Sequence, residues 1–542
     1  MVQMCRMVCQ STAALVLSGY VSSTSPPSPM SAIVLATINA RYIHSAMGLR
    51  CLAASLEGLD ATIAEYTLRQ SAVDIAADLL ERNPTILGLG VYIWNVRLTL
   101  DVVQLVRSLA PSVTVVLGGP EVSHEPVDPS AWQPIVQRAH YTIRGEGETA
   151  FRTLCEAILA GTPPTGRMID GGLPPLAELP LPYALYTDRD IQHRVLYVEA
   201  SRGCPFRCSF CLSALDTGVR AVPLEVLFAE LDRLFERGAT RFKFVDRTFN
   251  LHIAKSSRIL QFFLDRMRPG LFVHFEMVPD RLPTALRELL AAFPPGVVQL
   301  EVGLQTLDDE TGRKISRRQN LEKARENITW LRTHTGVHIH ADLIGGLPGE
   351  GLDAFARGFD TLLSWGPQEI QLGILKRLRG APITRFDGVL TWSKAPPYEV
   401  LATDALDFPT LLHLRRVAKV WDLVGNSGNF VDATPLLWSG APSPFFAVSD
   451  FTRYLMAQVG QTHGIALLRL LWLINDFLVE ERGLDEETVR AALERDYTRS
   501  GRKRVPRRLR GDAGSRRSAT TRRQARHLEG GAAPVVSPQG IT

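Results

Sequence analysis

At 542 residues, 45% hydrophobic and 21% charged, the chain is long enough for several buried cores at roughly 150 residues per domain, and no run approaches the ~18 consecutive apolar residues of a membrane-spanning helix. The net charge of +4 hides an asymmetry: Arg499 to Glu529 carries twelve Lys/Arg against two Asp/Glu, leaving the remainder near −6, a mildly acidic body with a basic tail. Seven cysteines, an odd count with three crowded into eight residues, exclude a disulfide framework and fit reduced thiols in a cytoplasm.

Residues 1–29 hold a short apolar stretch and a Ser/Pro-rich segment, a poor signal peptide, and are expected to be a disordered leader. From residue 32 apolar runs alternate with helical stretches. Strands are predicted at 32–37, 61–66, 86–92, 113–117 and 141–143, with helices at 48–56, 71–82, 98–109 and from Glu148 to about residue 160. This is an α/β pattern, a doubly wound, Rossmann-like open sheet of about five strands over 30–162. Its ligands are expected beyond the carboxyl ends of the strands. The Pro/Gly-rich segment 163–194 reads as a linker.

A second α/β series follows over 195–385. Strands are predicted at 195–200, 241–245, 271–277, 297–303, 337–344 and 369–375, with helices such as 223–237 and 320–333 between them. Six such units suggest a partial (β/α)6 barrel, whose working end is the carboxyl end of its strands. Residues 386–495 read as a mostly helical C-terminal domain, with apolar periodicity at 411–423 and 465–479. The tail 496–542 has few large apolar residues to offset the entropy of ordering, so disorder is expected.

The first barrel strand runs into Ser201-Arg202-Gly203-Cys204-Pro205-Phe206-Arg207-Cys208-Ser209-Phe210-Cys211, with thiols spaced C-x3-C-x2-C on one loop. Iron–sulfur cubes are held by thiolates, and three thiolates on a short loop leave the fourth iron open to a chelating small molecule. A structural zinc ion is the ordinary alternative, but closed zinc sites want four ligands in spaced pairs. The nearest further candidates are His193, Cys155 and His252.

This loop, with Phe210 as the aromatic before the last cysteine, resembles the signature of the radical S-adenosylmethionine (SAM) superfamily. The resemblance implies a 4Fe–4S cluster on Cys204, Cys208 and Cys211, whose open iron binds the amine and carboxylate of SAM. One electron from a flavodoxin- or ferredoxin-type donor then cleaves SAM to methionine and a 5′-deoxyadenosyl radical, which abstracts hydrogen from a substrate. Phe244–Asn250 resembles the family's F-x-D-D-x-F segment, placing Asp246 near the SAM amine, with Arg247 where a second acid is common. Glu301-Val302-Gly303-Leu304-Gln305-Thr306, followed by Arg318, resembles the E-x-G-x-Q-S segment and its arginine. Glu301 and Gln305 would then face the barrel mouth and Arg318 would pair with the SAM carboxylate. Ile344 to Glu350 matches a family turn that puts Gly345 and Gly346 against the adenine. Each segment also has an ordinary reading, as a strand-end salt bridge or a tight turn.

Gly118-Gly119-Pro120-Glu121 and Arg144-Gly145-Glu146-Gly147-Glu148 resemble the cobalamin-binding domain found upstream of many such barrels. The D-x-H-x-x-G motif is missing, so the corrin would bind with no protein histidine on cobalt. His44 and Gly48 in the first strand-to-helix loop would line that site together with Gly118 and Gly119. A domain that kept the fold and lost the ligand is the alternative. Ala395–Leu401 and Asn426-Ser427-Gly428 resemble an uncharacterised helical domain that follows cobalamin-type barrels.

The expectation is therefore a cytoplasmic, cobalamin-dependent radical SAM enzyme that methylates or rearranges a small molecule. Two other readings stay open. One is an RNA-modifying, methylthiotransferase-like enzyme using the basic tail for nucleic acid, although such enzymes usually add three upstream cluster cysteines and here only Cys51 and Cys155 lie in that domain. The other is a non-catalytic cluster- or corrin-binding protein.

Overall fold

The computed structural model describes residues 31–499. The expected leader lies outside these residues, as does the basic tail from 500 onward.

The first domain runs β1 (Ile33–Asn39), α1 (Met47–Ser55), β2 (Ala61–Thr67), α2 (Ala72–Glu81), β3 (Ile86–Gly90), α3 (Val96–Leu109), β4 (Thr114–Gly118), α4 (Pro134–Arg138), β5 (Tyr141–Arg144), α5 (Glu148–Leu159) and β6 (Met168–Asp170). The strands form one parallel sheet in the order β2-β1-β3-β4-β5-β6. Every residue of β1 is buried, because helices cover both faces of a parallel sheet. The strand order reverses between β1 and β3, on either side of which successive strands run outward in opposite directions.

The segment 163–194 is not the free linker that its prolines suggest. It contributes β6 as the sixth strand, pairing Arg144 with Asp170, and then α6 (Asp188–His193), which Thr187 and Asp190 cap reciprocally. Tyr183 and Tyr186 are buried between the domains. Asp190 pairs with Arg50 at 2.8 Å, and Glu65 receives both Arg50 at 2.9 Å and Arg194 at 2.6 Å. Buried charges are tolerated where they are paired in this way.

The second sheet orders β14 (Glu369–Ile374), β13 (His338–Gly345), β12 (Val298–Gln305), β11 (Phe272–Met277), β10 (Arg241–Phe244) and β7 (Leu196–Val198), all parallel. β7 and β14 stay unpaired with one another, so the barrel is partial. Its helices are α7 (Leu224–Glu236), α8 (Ile253–Leu264), α9 (Thr284–Ala291), α10 (Asp309–Lys314), α11 (Leu321–His334) and α12 (Leu352–Trp365). A two-stranded antiparallel ribbon, β8 (Ser201–Arg202) with β9 (Arg220–Ala221), brackets the cysteine loop.

The C-terminal domain has a small hairpin, β15 (Thr391–Trp392) with β16 (Val400–Ala402), followed by α13 (Phe408–Val424), α14 (Pro444–Val459), α15 (Leu467–Asp476) and α16 (Glu486–Arg499). One apolar core runs from Leu176 through the barrel to Tyr497. The expected onset of disorder at 496 is too early, since α16 continues to Arg499. Polar ties replace the missing apolar area there: Asp496 accepts from the backbone N–H of Asp432 at 2.9 Å and of Ala433 at 2.8 Å, and Arg499 pairs with both aspartates. Among the described residues no helix is long and apolar enough to cross a membrane.

Candidate active site at the barrel mouth and the neighbouring crevice

The cysteine loop leaves β7 and is pinned at both ends. Asp246, at the end of β10, accepts from the Ala200 N–H at 2.9 Å and the Ser201 hydroxyl at 2.6 Å. Gly203 has φ +95°, and a Cβ there would lie 1.9 Å from the Gly218 carbonyl oxygen, so only glycine lets the two arms of the ribbon come together. Within the loop the Cys204 N–H donates to the Asp216 carbonyl at 2.9 Å, and the Ser209 N–H to the Ile315 carbonyl at 2.8 Å. These ties bring Cys204, Cys208, Cys211 and Phe210 onto the wall of one cavity of about 180 Å³ at the carboxyl end of the barrel strands.

The opposite wall carries charge. Glu276, Glu301, Gln305 and Asp342 line it from β11, β12 and β13, with Arg247 and Arg317. Glu276 and Glu301 are register neighbours, as are Gly303 and Asp342. Burial would push the Glu301 carboxyl up, but His274 at 3.0 Å and Lys243 at 3.3 Å pull it below the usual carboxylate range. Burial and the nearby Glu301 and Glu276 hold the Asp342 carboxyl well above that range, against the pull of Lys243 and Arg317. Glu276 is also raised by burial, against the pull of Arg247 at 3.7 Å. The strand end is bulged at Gly303–Gln305, where Gln305 takes φ +72°. Arg317 clamps this bulge by donating to the Gly303 and Leu304 carbonyls, and it also donates to the Cys208 sulfur at 3.4 Å. Burial raises the Cys208 thiol, while that guanidinium favours its thiolate.

A second cavity, of about 490 Å³, opens where the first sheet's strand order reverses, the place where doubly wound sheets bind ligands. Gly48, Gly118 and Gly119 line it, with Gly90 and Gly145 to Glu148. Gly119 has φ +107°, and a Cβ would meet the Val91 carbonyl oxygen at 2.5 Å. A Cβ on Gly118 would meet only the Ile143 carbonyl oxygen at 3.9 Å, so glycine there leaves the cavity floor clear. The barrel supplies the remaining wall through Glu199, Arg202, Val245 and Arg247, and Arg247 lines both cavities. An ionic lattice joins the two sites. Arg202 pairs with Glu199 at 2.7 Å, Glu148 at 2.7 Å and Glu146 at 3.0 Å, and Arg220 on the other arm of the ribbon holds Glu146 and Asp216.

Comparison with known families matches a radical SAM superfamily profile to residues 198–362, a B12 binding domain profile to 33–155, and a protein of unknown function (DUF4080) profile to 389–528. The chain thus carries a radical SAM domain beside a B12-binding domain. A 2-(S-pantetheinyl)-carbapenam-3-carboxylate methyltransferase of Streptantibioticus cattleyicolor is 28% identical over 71% of this chain and 60% of its own length. The cobalamin-dependent radical SAM methyltransferase TokK of Streptomyces tokunonensis is 27% identical over 73% and 61%. The chain thus spans about 60% of the length of these curated relatives. The cobalamin-dependent SAM radical enzyme OxsB, in its structure with aqua-cobalamin bound, shares the fold at a TM-score of 0.58 and 14% identity, over 86% of this chain and 84% of that one.

A radical SAM domain implies a 4Fe–4S cluster and SAM, and a B12-binding domain implies cobalamin. The donors fit. Among the described residues no group of three or more His, Cys, Asp or Glu side chains is arranged to hold a metal ion, whereas a cube offers separate corners and its thiolates need not converge on one point. At the crevice the glycines clear space for a bulky ring, and no histidine is among the lining residues.

Several residues expected at the radical SAM site lie elsewhere. Asp246 is 4% exposed, and both its oxygens are occupied by the start of the loop instead of facing the cavity. Arg318 lines a separate concavity beside α10, and its neighbour Arg317 reaches the cysteines. Gly345 and Gly346 are filled over by the C-terminal domain: a Cβ would lie 2.5 Å from Leu414 and 2.6 Å from Val400 respectively. His44 stands outside the crevice, bridging to Val195 and sharing a 2.8 Å hydrogen bond with the Tyr197 hydroxyl. Sequence reasoning missed Glu276, Asp342, Lys243 and His274. The available signal was polar residues at alternate positions of strands in a barrel, where bulky apolar residues are the norm.

Proposed function

We propose that the chain is a cobalamin-dependent radical SAM enzyme that methylates or rearranges a small molecule. The observation that carries this is the pair of neighbouring cavities, one walled by three cysteines of a single loop and one by the glycines of the sheet's reversal point, with Arg247 in both. When bound, the cluster with SAM and cobalamin would supply a 5′-deoxyadenosyl radical and a methyl-carrying or radical-capturing cobalt.

The protein's own part is holding, orienting and proton placement. Cys204, Cys208 and Cys211 would hold the cluster, with Arg317 stabilising the Cys208 thiolate. Glu301, drawn towards its ionised form by His274 and Lys243, would accept from an ammonium or hydroxyl donor, and Asp342, whose surroundings favour its protonated form, would donate. Gly48, Gly118 and Gly119 would receive the corrin, and Gln305 would contact SAM from the bulged strand end. Phe210 would shield the cysteine side from water.

Anaerobically reconstituted protein is expected to show a four-iron signal by Mössbauer and EPR spectroscopy, to retain hydroxocobalamin, and to release 5′-deoxyadenosine only with reductant. Cys204→Ala is expected to lose the iron signal and the nucleoside together. A tightly held zinc ion at the cysteines, with no four-iron species, would overturn the reading.

A further inference from the structure

Exposed arginines gather around the cysteine loop. Arg207, Arg281, Arg313, Arg318 and Arg385 are all exposed there, and among the described residues none has a carboxylate partner within salt-bridge distance. The five are tied to the loop. Arg207 lies between Cys204 and Cys208, and Arg281 covers the Phe206 ring at 5.5 Å. Arg313 and Arg318 flank the turn whose Ile315 carbonyl receives the Ser209 N–H, and with Arg317 they line a concavity of about 310 Å³. Arg385 reaches the Ser316 hydroxyl at 3.3 Å. The acids nearby are mostly engaged: Asp308 caps α10, Glu310 pairs with Lys314 at 2.9 Å, and Asp280 and Asp404 accept from the Asn320 and Gly349 N–H groups, while Asp309 opens α10.

We propose that these arginines form the docking surface for an acidic one-electron carrier of flavodoxin or ferredoxin type. The inference rests on the function proposed above, because reductive cleavage needs an electron from outside the chain. In the docked pair the carrier loses one electron and the cluster gains one, and no bond forms or breaks. Arg317 lines the same concavity as Arg313 and Arg318 and touches the Cys208 sulfur, so a carrier seated there is one side chain from the cluster's ligand. A basic patch on a mildly acidic body orients an acidic partner, raises its encounter rate 10- to 1,000-fold and makes that rate fall steeply with salt.

The test is stopped-flow reduction of the reconstituted holoenzyme by photoreduced flavodoxin, with dithionite as a small reductant that needs no docking. The double charge reversal Arg281→Glu/Arg313→Glu is expected to slow flavodoxin-driven reduction at least tenfold at low ionic strength and to flatten its salt dependence. Dithionite-driven reduction and 5′-deoxyadenosine release stay at the unmodified level, and Arg281→Gln/Arg313→Gln falls between. A wild-type flavodoxin rate indifferent to salt, or a reversal variant that keeps that rate, overturns the proposal. So does a patch that captures an RNA oligomer while flavodoxin reduction is untouched by the reversal. A wild-type protein that shows no reducible four-iron signal with dithionite sinks the proposed function instead.

Discussion

Glu350 is 2% exposed, accepts from the Thr306 hydroxyl with one oxygen, and has its carboxyl pushed up to about 7 by burial. The unfolded chain sheds this proton near about pH 4.3. Between that value and 7 the folded form holds the proton and the unfolded form does not, so stability falls as pH rises through this window, by up to about 4 kcal/mol. Thermal melts from pH 5 to 8 should show that decline, and Glu350→Gln should flatten it; an unchanged slope in the variant would refute the assignment. Gly203→Ala places a methyl on the Gly218 carbonyl in a left-handed conformation, at a cost of about 1–3 kcal/mol. Its iron content after reconstitution should fall together with its melting temperature. At this scale the three cysteines were legible because their ligand spacing is local to one loop. Arg318 lines the neighbouring concavity and it is Arg317 that reaches the Cys208 sulfur, after a backbone turn at Ser316 (φ +58°) that spacing does not reveal. Asp246 was recognisable as a strand-end acid, but its hydrogen bonds depend on where Ala200 and Ser201 arrive from another strand.

The ribbon and the first turn of α5 act as one fastening. Arg202 faces Glu146, Glu148 and Glu199 while 18% exposed, so Arg202→Ala leaves Glu148 and Glu199 without their cation and Glu146 with Arg220 alone. Breaking a buried pair this way costs about 3–5 kcal/mol. Iron and hydroxocobalamin content should fall together in that variant, and loss of one with full retention of the other would show that the two loops are independent. The glycines after β13 give a second element-scale test. Gly345→Ala overpacks Leu414 on α13, a change worth about 1–3 kcal/mol, and should lower the melting temperature while SAM affinity by equilibrium dialysis stays within twofold. A large loss of SAM affinity would restore the adenine contact that the motif implied. The long strands and helices were readable because apolar runs and helical periodicity mark them directly. β6 was not, since three half-exposed residues among prolines carry no such pattern, and the polar lining of the barrel is defined by register between strands distant in sequence.

Across the whole molecule the barrel and the C-terminal helices share one core, whereas the first domain has its own two clusters and meets the rest through Met47, Tyr183 and Tyr186 and through polar contacts. One of these is the Tyr398 hydroxyl on Glu121 at 2.7 Å, with Arg379 on the same carboxylate, just beyond the glycines of the crevice. Family-level order of domains was legible from motifs in series, but this seam was not, because nothing in a linear chain announces which loops will face one another. The crevice itself straddles the seam: glycine turns form one jaw, and Glu199, Arg202, Val245 and Arg247 form the other. A macrocycle gripped there is a rivet between two bodies. Residues 33–155 expressed alone would offer only half of the vise, and filling it in the full chain should weld two separate melting events into one.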